Sequence, residues 1–234
     1  MKPGVGACVS IVVLLIATSG PGARASDGIT TVTLRANLTT SSQLYTNPDS
    51  PDPIERSTFT LLENQFGGGI EVKYTFPESN LALSVSADYI RASSSGQTSA
   101  RVPYEDGYRV VPVELTAYFI IPISGPTIQV FMGGGAGAYV GERTYSLAGV
   151  EAVPVDARTG FGIHVLGGAS YRVTELVSIT GEMKFRDVQF DATNAFTTPR
   201  IVYNGRVIEV GTEPFHSTIQ TNGIVIHLGV AFSF

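Results

Sequence analysis

His216 and Ser217 are the one place in the 234-residue chain where an imidazole sits beside a hydroxyl, the combination an acyl hydrolase uses to activate its nucleophile. Such a pair must face one substrate. Adjacent residues of an extended strand point to opposite sides, so the two read as a polar junction between a loop and a strand. A metal site finds little support, because no two of His164, His216 and His227 have tight ligand spacing. The only cysteine, Cys8, lies close to the N-terminus, so the chain beyond it holds no disulfide, thiolate ligand or cysteine nucleophile. The run Gly133-Gly134-Gly135-Ala136-Gly137 superficially resembles a phosphate-cradling loop, but no helix, lysine or acidic partner follows it; glycine there makes room inside a narrow structure. The acidic, proline-rich stretch Asn47–Glu55 reads as a stiff, solvated loop. No catalysis, cofactor or metal is expected. A formal charge of −5 leaves no basic footprint for nucleic acid.

The remaining chemistry is ionic. Glu71, Lys73, Asp88, Glu114, Glu182, Lys184 and Arg186 all fall on the polar side of alternating segments, together with His164 and His227. The alternation is clearest at the C-terminus, where Ile224, Ile226, Leu228, Val230, Phe232 and Phe234 share one face and His227, Gly229, Ala231 and Ser233 share the other. Phe66 to Phe76 and Leu81 to Tyr89 repeat it. A period of two is the signature of a strand with one apolar and one polar or small-residue side. Breakers sort these runs into pairs. Pro77–Asn80, Pro122–Pro126 and Arg172–Leu176 are short turns, whereas Ser41–Thr58, Ala92–Asp106, Gly141–Thr159 and Ala192–His216 are long polar connections. Eight strands follow, at about 28–40, 59–76, 81–91, 107–121, 127–140, 159–171, 177–191 and 217–234.

The first 25 residues read differently. Lys2 precedes the apolar run Val9–Ala17, helix breakers stand at Gly20–Gly22, and Ala23-Arg24-Ala25 has the small-x-small form of a cleavage site. Nine apolar residues are too few to cross a bilayer, which takes about 20. Residues 1–25 are therefore expected to be a cleaved signal peptide and 26–234 a single exported domain.

Alternation alone does not say whether the apolar face turns inward or toward lipid. Three features favour lipid. The opposite face carries charges of both signs, which can pair inside a closed eight-stranded barrel. The chain ends on Phe234, with apolar residues at every second position before it. Phe76, Leu81, Phe119, Ile121, Tyr171 and Phe234 cluster beside the short turns, where an aromatic girdle meets headgroups, although Trp is missing. Hydrocarbon tolerates no open sheet edge, so the sheet must close. The fold expected is all-β: an eight-stranded antiparallel up-and-down transmembrane β-barrel, with its short turns periplasmic and its four long loops outside.

Ile226, Leu228, Val230, Phe232 and the terminal Phe234 resemble the C-terminal β-signal read by the outer-membrane barrel insertion machinery. The segments VVPVELTAYFIIPISG and TIQVFMGGGAGAYVG resemble the central hairpin of small OmpA-like, opacity-like and OmpW-like barrels, in which a P-V-x-L strand precedes a glycine-rich one. The likeness spans essentially the whole chain after residue 25 and does not select a subfamily. It implies a protein of the bacterial outer membrane, in contact with lipid; with the sequence ending at Phe234, no appended peptidoglycan-binding domain is expected. Two roles are consistent with it: a structural barrel that displays loops to a surface partner, its lumen plugged by paired charges, or a narrow or laterally opening channel for small hydrophobic molecules. The plugging charges favour the first.

Overall fold

The computed structural model describes residues 28–122, 125 and 127–234. The expected signal peptide falls outside the described residues, as do residues 123, 124 and 126 of the second short turn. Twelve strands are described: β1 (Ile29–Tyr45), β2 (Phe59–Thr75), β3 (Leu81–Gln97), β4 (Pro103–Ile120), β5 (Ile128–Leu147), β6 (Val150–Ala157), β7 (Thr159–Arg172), β8 (Val177–Ala195), β9 (Arg200–Tyr203), β10 (Arg206–Glu209), β11 (Phe215–Gln220) and β12 (Ile224–Ser233). A four-residue helix, α1 (Pro53–Arg56), capped by Asp52, interrupts the first long loop.

Antiparallel pairing runs β1–β2–β3–β4–β5–β7–β8–β12 and returns from β12 to β1, closing a ring of eight. Closure is seen in the ladders Thr31↔Ser233 through Thr39↔Val225, with Phe234 and Thr30 exchanging backbone bonds at the end. β6 continues the line of β7 and β11 that of β12, each pairing with the same neighbour, β8.

The strands outrun their expected ends on the long-loop side. Most of the segment expected as a loop at Ala92–Asp106 is ladder, with β3 and β4 paired up to Gln97↔Pro103. Gly141–Thr159 is a hairpin of β5 and β6 that turns at Ala148-Gly149, both at positive φ. Within Ala192–His216, β9 and β10 form a separate hairpin turning at Asn204-Gly205, again both at positive φ, the backbone that a two-residue hairpin loop requires. The strand expected at 217–234 is split at residues 221–223. There the Cβ of any residue replacing Gly223 would lie 2.3 Å from the Ser41 carbonyl oxygen.

One inversion explains these extensions. In the lower part of the barrel the outward residues are apolar and the inward ones polar; Ile226, Val230 and Phe232 are 41%, 41% and 38% exposed, while Glu114 and Lys184 are buried to 2% and 1%. Higher up the roles exchange. On β3, Tyr89 is the last outward apolar residue, and Ile90 and Ala92 then face in while Arg91 faces out. On β8, Val188, Phe190 and Ala192 are buried, alternating with exposed Asp187 and Gln189 and half-buried Asp191. The chain is a lipid-facing barrel up to that row and a water-facing one with an apolar interior above it. Inside the upper section Leu44, Leu62, Ile90, Tyr108, Val110 and Phe190 belong to one buried cluster. Above it, Phe196, Ile201 and Ala152 pack with Tyr145 and Phe215 to cap the long-loop end.

Candidate functional site

Among the described residues, the lumen is where the fold gathers its buried charged side chains. Because inward positions recur every second residue, each strand delivers one or two of them to the same depth. β1 supplies Arg35, which the sequence reading did not single out. Its guanidinium forks onto Asp88 of β3, with Nε 2.9 Å from Oδ1 and Nη2 2.7 Å from Oδ2, and Nη1 donates to Glu71 Oε2 on β2 at 3.1 Å. A bidentate Arg–carboxylate pair fixes geometry as well as charge.

A second cluster lies across the lumen. Lys184 of β8 donates to Glu114 Oε2 of β4 at 2.6 Å and stands 3.6 Å from Glu182 Oε1. Tyr139 of β5 donates its hydroxyl to Glu114 Oε1. Glu182 takes a hydrogen bond from Tyr118 at 3.1 Å and lies 3.0 Å from His227 Nδ1. His164 is held by the Thr116 hydroxyl, 2.9 Å from Nε2, and its Nδ1 stands 4.0 Å from Glu114 Oε1. Every one of these side chains is at least nine-tenths buried. A buried carboxylate left without a partner would carry a large desolvation cost, and here each finds a cation or a hydroxyl donor.

Five of the seven residues picked out from the sequence, Glu71, Asp88, Glu114, Glu182 and Lys184, thus meet in two adjoining ion-pair groups. The other two do not join them. Arg186 is buried but bonds the Thr221 carbonyl oxygen at 3.2 Å and the Thr39 hydroxyl at 3.1 Å, where the last strand is interrupted. Lys73 points toward the short-turn end, its ammonium 5.2 Å from the ring centre of Tyr118 and 5.3 Å from that of Phe131. Arg35 was legible. Thr31, Thr33, Arg35, Asn37 and Thr39 alternate with Val32, Leu34, Ala36 and Leu38, and the polar side of that strand faces in.

Above the ion pairs, within the apolar cluster, the Tyr108 hydroxyl donates to Gln65 Oε1 and lies 3.0 Å from the Ser42 hydroxyl, which can donate to it. Higher still, Arg143 forks onto Asp106 at 2.8 and 2.6 Å and reaches Ser217. Ser217 is fully buried against Arg143, while its neighbour His216 is exposed and bonded to Thr193, so the two side chains point apart. The terminal residues Ile226, Leu228, Val230, Phe232 and Phe234 all face outward.

Comparison with solved structures returns outer-membrane barrels. The outer membrane protein OprG of Pseudomonas aeruginosa superposes with a TM-score of 0.59 at 12% identity, covering 88% of this chain and 95% of that one. A major outer membrane protein of Thermus thermophilus gives 0.52 at 12% identity, covering 88% and 99%. What they share with this chain is the fold. Comparison with curated proteins finds no match. The sequence pattern of the family described as "Outer membrane protein beta-barrel domain" matches residues 9–232. With its closed ring of eight strands, apolar outside and ionic within, the chain belongs to that family as a β-barrel protein of the bacterial outer membrane.

Proposed function

We propose that the protein is a structural and interaction barrel: a sealed, lipid-embedded scaffold that holds four long connections at the cell surface for a partner or ligand. In this reading residues 26–234 form the exported domain, the short turns face the periplasm, and the β-signal residues from Ile226 to Phe234 are read by the insertion machinery. Neither nucleic acid nor catalysis enters it. The observation that carries it is the stacking of the lumen. The Arg35–Asp88–Glu71 and Lys184–Glu114–Glu182 groups lie beneath an apolar layer of Leu44, Ile90, Tyr108 and Phe190, and the Arg143–Asp106 pair lies above. Ions would have to break buried pairs and then cross a dry section, each unfavourable by several kcal/mol. The paired extension of β3, β4 and β5 beyond the apolar band favours rigid display over loose loops.

A second reading, a lateral path for small hydrophobic molecules, rests on one feature. The β3–β4 ladder is continuous except at Asp88 and Tyr89, opposite Pro112 and Val111, because Pro112 has no N–H to donate. That gap lies in the barrel wall near the top of the apolar band. One experiment separates the two. Purified protein in planar bilayers is expected to give no steady conductance, and proteoliposomes are expected to take up a small hydrophobic solute no faster than empty ones. Steady current that changes in Glu114→Ala or Lys184→Ala would overturn the sealed scaffold. Solute uptake that Pro112→Ala abolishes would establish the lateral path in its place.

A further inference from the structure

The short-turn end of the lumen is a blind chamber of about 400 Å³, within the range of small-molecule sites. Its floor is aromatic. Tyr118 and Phe131 pack edge to face with ring centres 5.5 Å apart, and the Tyr118 hydroxyl is tied to Glu182 in the ion-pair layer behind it. Hydroxyl groups of Thr31, Thr75, Ser178 and Thr180 line the walls between apolar Ala82 and Ala231. Lys73 sits over the floor, half-buried, and no carboxylate lies within 4.0 Å of it among the described residues. At the rim stand one cation and one anion, Arg172 and Glu175.

We propose that this chamber binds a small organic monoanion, with Lys73 holding its carboxylate and the hydroxyl-lined walls orienting it. Charge sets the class. Arg172 and Glu175 offset one another, which leaves Lys73 as a net single positive charge and suits a monoanion better than phosphate, which carries more charge and seeks several donors. Shape sets the rest. The Tyr118 and Phe131 rings are almost fully buried beneath Lys73, so the lysine is the surface the chamber presents at its floor, while scattered hydroxyls supply the few polar contacts that orient a ligand in a mostly formed pocket. A lysine held above aromatic rings is prepositioned, so less side-chain freedom is lost when an anion arrives. The aromatic floor keeps the ligand out of the ion-pair layer, so binding does not require the lumen to open. The inference therefore goes beyond the sealed-scaffold reading and stands or falls separately from it.

The chain has three lysines, Lys2, Lys73 and Lys184; Lys2 precedes the described barrel, and Lys184 is buried in its ion pair. Reductive methylation with ¹³C-formaldehyde of the folded full-length protein in detergent micelles therefore gives a small set of NMR signals, of which Lys73→Met identifies one by its loss. Titration with benzoate is expected to move that signal saturably and leave any Lys184 signal in place. In unlabelled protein, calorimetry is expected to show Lys73→Met weakening benzoate binding by about tenfold or more, with Lys73→Arg within a few-fold of wild type. The gel shift between unheated and boiled samples shows that each variant is folded. An immobile Lys73 signal, equal binding by Lys73→Met, or a response to inorganic phosphate as strong as that to benzoate would overturn the proposal.

Discussion

Arg35 shows why single positions in this lumen cannot be read one at a time. It touches both Asp88 and Glu71, so removing it strands two carboxylates, whereas removing either acid leaves it the other. The same reasoning gives a measurable asymmetry at Lys184 and Glu114. Loss of one partner leaves a buried charge uncompensated, at a cost of about 3–5 kcal/mol. Lys184→Met is expected to lower the stability of the barrel, by urea unfolding in micelles, by an amount near that range. Lys184→Met combined with Glu114→Gln is expected to recover more than half of the loss, because both charges leave together. A double variant as damaged as the sum of the singles would show that the pair is uncoupled.

Among the elements, β5 carries the tightest constraint. Its inward glycines do not merely clear the lumen, as the narrowness of an eight-stranded barrel suggests. A Cβ at Gly135 would come within 1.9 Å of the Leu115 carbonyl oxygen on β4, and one at Gly137 within 2.8 Å of the Glu114 side chain. The first contact is with backbone, so β4 and β5 would have to part. Gly135→Ala is therefore expected to destabilise by about 1–3 kcal/mol, seen as a lower unfolding midpoint, even though it adds one methyl group. Gly134→Ala, on the outward face with its nearest contact at 3.0 Å, is expected to be milder. Equal effects at the two positions would remove the role given to the β4 backbone.

On the scale of the whole molecule, a closed ring with 19 residues in β8 and 20 in β5 rises well past the apolar band and has no free edge at which to begin unravelling. Such a barrel is expected to stay folded in sodium dodecyl sulfate until heated and to migrate differently before and after boiling. A single, heat-independent band would contradict it. Protein purified from membranes is expected to begin at Ser26 by intact mass, the outcome that tests cleavage after Ala25.

The residues themselves determined the period of two, the short turns, the outward Ile226–Phe234 face and the inward placement of Glu114 and Lys184, because alternation against a hydrocarbon solvent leaves only a closed sheet. Alternation was silent above Tyr89, where water replaces lipid outside and the apolar side of each strand changes over. Ala92–Asp106 therefore looked like loop although its backbone is paired, and Asn204-Gly205 was the local hairpin signal left unused. Only the tertiary structure decided which charges meet. Strand number and stagger, not spacing along the chain, bring Arg35 to Asp88 and leave Arg186 and Lys73 outside the ion-pair groups. Two residues on one polar face share a direction, but whether they share a depth is set by how far each strand slides past its neighbour as the ring closes.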